Sequence, residues 1–518
     1  MDRLVAAVIA VLVVGVGVAV YLNSDVRATT SVLGPTTPAP DVPDTVPSTL
    51  TQRWSLATNP DLGSVASPYG VVITADDHTV TGHDAVTGEF RWSYGRENLP
   101  LCAIGSGDVD APGVTRRGKV RGVMVVSEKN GYCSQVMLLD PDTGARHYYR
   151  TSPNQVGGSL AFGGPYAAWM GPSLVELWRD DLVRTIQYGD EPTPPKPNAT
   201  HTGCTFTDIA LADDQFATVE HCVDQNAADA NAADANAADA NAADANAVDE
   251  NADANAADGG AVDGNAAGQG GNARLVVNWA TPDSAPNKPD GQDVFKHEPR
   301  ADIDTGSPAA RIVGITADRV AVLVSAPEPA VVVYDSSGAE KSREVVDIPA
   351  EQIVAADQLT AAGGTSPTPS VVNGDARYSL IGDHLIAVTS QQITTDAPAT
   401  SSTTALESRE PPTISVFATS TATSGSESGS EPPAQVQVDD LDFAWSKAGA
   451  LGLPALIGDR LLMPVDAGLA VFAAANGNPG IVPVTIPVDR GGYAGRVDAT
   501  AVGGMIIEAR GGQVVGLS

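Results

Sequence analysis

Four residues in two short stretches are of the types that hold a transition metal: His201 and Cys204 in HTGCTF, and His221 and Cys222 in VEHC. The His-x-x-Cys spacing suits a metal knuckle. His221 and Cys222 are adjacent, and adjacent side chains on a strand point to opposite faces, so both ligating one ion is awkward. Two readings stand, a zinc site and a Cys204–Cys222 disulfide, and the disulfide is preferred. The sequence expectation is therefore no metal and no cofactor.

Other chemistry finds less support. Asp76, Asp77 and His78 sit together, but between two strand-like runs they read as a hairpin turn. No Gly-x-Ser-x-Gly elbow, phosphate-binding loop or His-Glu-x-x-His is present, so no catalytic residue is assigned. The seven histidines show no usable spacing, and Arg116–Lys119 reads as a solvated basic loop. With 63 acidic and 30 basic residues the formal charge is −33, which repels phosphate backbones and argues against nucleic acid as a partner.

The elements that would position any site follow from patterning. Leu4 to Leu22 is an uncharged apolar run that spans about 28 Å as a helix, close to a bilayer core. It reads as a retained single-span anchor with residues 1–3 inside, a cleaved signal peptide being the rival. Residues 23–50, rich in Pro, Thr and Ser, read as an extended tether. The remainder is expected to lie outside the cytoplasm. Four cysteines, Cys102, Cys133, Cys204 and Cys222, agree with an exported domain carrying two disulfides. Of three connectivities the local one is preferred, because each pair falls within one repeat.

From residue 51 the chain is β throughout. Val71–Thr74, Thr79–His83 and Phe90–Tyr94 are three strands joined by tight turns. The pattern returns near 58–96, 101–150, 157–190, 203–298, 308–348, 376–447 and 450–488. The final stretch supplies only three strands. Its fourth can come from residues 51–57, because QRWSLA matches the FRWSYG of the first unit. Four-stranded units recurring every 40–50 residues are the signature of a β-propeller. The fold expected is all-β, an eight-bladed β-propeller of four-stranded antiparallel blades plus one N-terminal transmembrane helix, with seven or six blades as alternatives. Trp54, Trp92 and Trp445, each followed by Ser, would then mark the outermost strands of three blades. Their expected role is packing between blades rather than ligand stacking.

Two insertions interrupt the units. Residues 225–271 repeat Asn, Ala and Asp with period five, placing Asp229, Asp234, Asp239, Asp244 and Asp249 in phase. Five residues advance 500° on a helix, so these carboxylates form no stripe, and the segment reads as a disordered acidic loop. Residues 391–437 are Ser/Thr-rich and interrupted by one short strand, Thr413 to Phe417. Asn198-Ala199-Thr200 matches a glycosylation acceptor and is read as a chance match.

The units ending DAVTGEFRW and DPDTGARHYY resemble the quinoprotein-like (PQQ-like) propeller repeat, Asp-x-x-Thr-Gly-x-x-x-Trp. Asp84, Thr87, Gly88 and Trp92 fit it fully, whereas Asp140, Thr143 and Gly144 fit it without the Trp. The resemblance implies that this turn and Trp lock successive blades. The layout also looks like the single-span PQQ-like propellers of high-GC actinobacteria. Quinone dehydrogenases of the superfamily carry adjacent cysteines beneath the cofactor, and this chain has none, so that activity does not carry over. The expected function is a non-catalytic, membrane-anchored extracytoplasmic scaffold engaging an envelope protein or polymer. The alternative is a small-molecule or quinone-binding propeller with redox activity.

Overall fold

The computed structural model describes residues 2–22, 24–38, 40, 45–67, 69–106, 122–190, 201–212, 215–222, 271–280, 299–315, 318–345, 350, 353, 376–381, 384–389, 413–419, 441–448, 450–458, 460–473, 484–493 and 495–518. Nearly all of the acidic repeat, the Ser/Thr-rich insertion outside 413–419, residues 116–119 and residues 198–200 lie outside them.

The described strands form eight antiparallel sheets that follow one another along the chain. Sheet 1 contains Ser64–Ser67, Val71–Ala75, Thr79–Asp84 and Phe90–Arg96. Sheet 2 runs from Leu101–Ser106 to Arg146–Thr151, sheet 3 from Ser159–Gly163 to Arg184–Gly189, and sheet 4 from Cys204–Leu211 to Ala301–Asp304. Sheet 5 begins with Ala310–Ile315, sheet 6 with Ala376–Ile381, sheet 7 with Ala455–Ile457 and sheet 8 with Asp498–Val502. The outer strand of sheet 8 is Gln52–Ala57, paired with Gln513–Leu517. Strands from opposite ends of the chain thus share one sheet, which removes an open edge there.

The core lies between the sheets. In Val71–Ala75 every residue is buried, because alternate side chains enter different seams. Val71 and Ile73 pack with Val123 and Val125 of sheet 2, whereas Val72 packs with Val502 and Ile507 of sheet 8. Met124 and Val126 face Trp169 and Trp178 of sheet 3. Phe216 joins Leu177 and Tyr188 of sheet 3, and its neighbour Ala217 joins Val320 and Val322 of sheet 5. A strand covered on both faces must be apolar at both parities, which explains the unbroken Val/Ile/Leu runs. The first strands of sheets 1 to 6 lie side by side in order, and sheet 8 adjoins both sheet 7 and sheet 1. This radial stacking of four-stranded meanders defines a β-propeller.

Six of the outer strands share a bulge. The register passes from Gln52 to Trp54, from Phe90 to Trp92 and from Phe443 to Trp445, each time omitting the residue before the Trp. The outer strands of sheets 2, 3 and 5 omit His147, Thr185 and Lys341 in the same way. A bulge sharpens the local twist and re-aims the next side chain.

Asp2–Leu22 is one helix, and it is the helix among the described residues that is long and apolar enough to cross a membrane, a test a signal sequence also passes. Val11 to Val14 and Val16 are among its exposed side chains. Within 23–50, the segment expected as an extended tether, described parts pair with or pack against the sheets. Ser24 caps the short helix Asp25–Ala28, and Thr29–Val32 then pairs with Phe90–Arg96 as a fifth strand of sheet 1. Val46 and Leu50 pack into the seam between sheets 7 and 8. The physical reason is local: Thr-Thr-Ser-Val is a β-compatible tetrapeptide, and it meets an outer strand edge with unpaired backbone groups.

Candidate functional site

The residues of the Asp-x-x-Thr-Gly pattern assemble at the seams. Asp84 Oδ1 accepts hydrogen bonds from the Val86 and Thr87 amides and from Thr87 Oγ1, at 3.0, 2.9 and 3.2 Å. The Gly88 amide donates to Asp84 O, and Gly88 has φ +74°. Trp54 of sheet 8 lies over this glycine, and its Nε1 donates to Ala85 O at 3.1 Å. The next seam repeats the arrangement. Asp140 Oδ1 accepts from the Asp142 and Thr143 amides and from Thr143 Oγ1. Trp92 of sheet 1 covers Gly144, and its Nε1 donates to Pro141 O at 3.0 Å. Trp54 and Trp92 are also the register partners of Gly516 and Gly82, which leave room for the rings within their own sheets. Trp445 lies in the outer strand of sheet 6, Leu441–Ala448, opposite Val416 rather than a glycine.

Sequence reasoning missed a similar contact between sheets 4 and 5. Ile303 meets Gly338, whose turn is held by Asp335 Oδ1 accepting from the Ser337 and Ala339 amides. Ile303 carries no aromatic signal, and its place over Gly338 depends on the fold. Also unread were carboxylates fixed at the seams by neighbouring sheets. Glu176 in sheet 3 receives Arg150 of sheet 2 at 3.0 Å. Burial pushes the Glu176 carboxyl above its ordinary range, with Arg150 and Arg184 opposing. Glu508 in sheet 8 sits between Arg490 and Arg510 at 2.8 and 2.7 Å, all three buried. Asp208 in sheet 4 accepts the Ile312 amide of sheet 5, and burial raises it while Arg311 opposes. Such pairs fix sheet-to-sheet geometry, because removing either partner strands a buried charge.

The cysteines join locally. Cys102–Cys133 links two strands of sheet 2, and Cys204–Cys222 links directly opposed positions at the end of a sheet 4 hairpin, with Cα atoms 4.0 Å apart. The second disulfide does not stand alone. His201 Nδ1 lies 2.5 Å from Glu220 Oε1, and Cys222 Sγ lies 3.7 Å from the same oxygen. Tyr188 of sheet 3 donates to Glu220 Oε2 at 3.2 Å and holds its ring 4.9 Å from that of His201. Burial pushes the Tyr188 hydroxyl far above its ordinary range, reinforced by the Glu220 charge, so it remains a donor. His221 takes no part. It is the register partner of Thr205, and strand alternation sends it to the face opposite Glu220 and Cys222. Its Nε2 is buried without a hydrogen-bond partner among the described residues. The fourth group of the cluster is therefore Glu220, legible as the residue two before Cys222.

The class these features define is a β-propeller. No family model and no curated protein sequence matches the chain. Among solved structures it is similar to BamB from Moraxella catarrhalis, with 11% identity and a TM-score of 0.41, covering 90% of this chain and 99% of that one. It is also similar to the C-terminal WD40 domain of Sif2, with 8% identity and a TM-score of 0.44, covering 91% and 99%. The Neurospora crassa Pan2 WD40 domain gives 8% identity and a TM-score of 0.40 over 92% and 97%. At such values the propeller assignment rests on the sheets and seams of this chain.

Proposed function

We propose that this protein is a non-catalytic extracytoplasmic propeller of the quinoprotein-like repeat type, held at a membrane by its N-terminal helix and binding a protein or polymer of the envelope through its loops. The observation that carries the reading is the direct passage from apolar helix to disc. Residues 23–28 alone separate Asp2–Leu22 from the strand Thr29–Val32. Asp25 in that link pairs with Arg96 at 2.9 Å and Lys129 at 3.3 Å. A helix fixed to the outer rim of sheet 1 would hold the disc close to the bilayer, not on a long leash. Two disulfides support an oxidising compartment. The Asp84 and Asp140 turns with their covering tryptophans support the repeat type.

Two measurements test this. Alkaline carbonate extraction should leave the full chain in the membrane pellet, and release into the soluble fraction would remove the anchor. Photo-crosslinking residues placed at Val86, in the turn after Thr79–Asp84, and at Tyr132, the exposed first residue of Tyr132–Leu139 at the opposite end of the strands, should give a discrete adduct from one face. No adduct from either face, together with a stoichiometric redox-active chromophore in the purified chain, would favour the cofactor-binding alternative.

A further inference from the structure

The Cys204–Cys222 disulfide is set among metal-binding groups rather than among apolar ones. One ligand atom each from His201, Cys204, Glu220 and Cys222 lies within 4.8 Å of every other. A tetrahedral zinc ion with two sulfur, one nitrogen and one oxygen ligand has edges of about 3.3–3.8 Å, so small side-chain rotations would bring all four onto one ion. We infer that this disulfide masks a reduction-gated site for a zinc-class divalent cation, held by Cys204, Cys222, His201 and Glu220.

The chain has built this site from several directions. Strand pairing places Cys204 opposite Cys222, and alternation places Glu220 beside Cys222 on the same face. His201 is returned over the hairpin end by two left-handed positions flanking Thr202, His201 itself at φ +60° and Gly203 at φ +74°. A left-handed histidine is an uncommon conformation, retained where the surroundings impose it. Glu220 is fully buried, and Tyr188 orients its second oxygen, as an outer-sphere donor orients a ligating carboxylate. The nearby cation Arg274 is engaged by Asp302 at 2.5 Å.

In the oxidised chain the sulfurs are bonded to each other and supply no thiolate. A dithiol reductant would pass two electrons and two protons to the disulfide, leaving Cys204 and Cys222 as thiols and itself as a disulfide. Metal binding would then displace the two thiol protons, so uptake should release two protons per ion and strengthen with pH. The mixed sulfur, nitrogen and carboxylate set matches zinc rather than calcium or magnesium, which take oxygen ligands. This inference does not depend on membrane anchoring or on any envelope partner.

The test uses the full chain, oxidised or reduced with a phosphine, titrated with zinc and separately with cobalt. Reduced protein should take up one tightly bound zinc per chain and, with cobalt, show the visible bands of tetrahedral thiolate coordination. Oxidised protein should show neither. His201→Ala and Glu220→Gln should each weaken zinc binding tenfold or more, and Cys204→Ser/Cys222→Ser should abolish it. The internal control is alkylation of the reduced chain: zinc should protect Cys204 and Cys222 at least tenfold relative to Cys102 and Cys133. Equal uptake by oxidised and reduced protein, or no selective protection of Cys204 and Cys222, would overturn the inference. The latter result would do so even if reduction or a variant loosened the fold, because all four cysteines are read in one chain.

Discussion

Trp54 lies on Gly88 of the neighbouring sheet so closely that a Cβ at that glycine would stand 2.6 Å from the indole. Trp92 stands in the same relation to Gly144, where the distance would be 2.7 Å. A left-handed glycine turn and an indole from the preceding sheet thus meet in the same way at two successive seams.

Replacing the fully buried Trp92 by Ala should lower stability by about 3–5 kcal/mol, as for other buried aromatic truncations. Gly88→Ala should cost more than Gly131→Ala. Both positions have positive φ, a strain of about 1–2 kcal/mol for a non-glycine residue, but a Cβ at Gly131 meets nothing within 4 Å. Urea unfolding midpoints of the three variants decide the matter. Equal costs for the two alanines would mean that the indole contact contributes nothing.

What could be read in the sequence depended on how local the physics is. The meanders, the Asp84 and Asp140 turns and the nearby cysteines involve short separations and leave compact patterns. Ile303 against Gly338 obeys the same geometry but uses an unremarkable aliphatic residue. Thr29–Val32 was obscured by the prolines and small polar residues around it, although its own residues are β-compatible. Glu220 needed the two-residue strand period, which also removes His221 from the cluster. Asp208 with Arg311, and Arg490 with Glu508, are set by which sheets become neighbours, and no local pattern announces them.

Glu508 offers a test of these seams. Glu508→Gln would leave Arg490 and Arg510 buried without their shared carboxylate, an effect of about 3–5 kcal/mol by analogy with broken buried pairs. Denaturant unfolding measures it. A loss below about 1 kcal/mol, the range of exposed pairs, would show that the arginines find water or another partner.

Loop length predicts the effect of the disulfides. Cys102 and Cys133 are 31 residues apart, and Cys204 and Cys222 are 18 apart. The chain-entropy relation gives about 3.7 and 3.2 kcal/mol respectively. Cys102→Ala/Cys133→Ala should therefore lower the unfolding midpoint slightly more than Cys204→Ala/Cys222→Ala. The reverse order would show that the His201–Glu220–Tyr188 cluster depends on its disulfide for more than chain entropy.

Two carboxylates should give pH dependences of opposite sign. Burial raises Glu176 above its ordinary range, so the folded state holds its proton to higher pH than the unfolded chain. Its contribution to stability is fullest below the unfolded glutamate range and declines as pH rises through the folded value. Asp335 is held well below its ordinary range, first by the hydrogen bond from Lys341 and then by that from Ser337. Its contribution is present above the unfolded aspartate range and is lost as pH falls through the folded value. Thermal midpoints of the wild type, Glu176→Gln and Asp335→Asn between about pH 3 and pH 7 cover both windows. The wild type should gain on Asp335→Asn as pH rises from the acid end, and should lose ground to Glu176→Gln as pH rises above the ordinary glutamate range. A Glu176 difference that instead grows in favour of the wild type with rising pH would mean that Arg150 and Arg184 outweigh burial, making that seam a net-favourable ion pair.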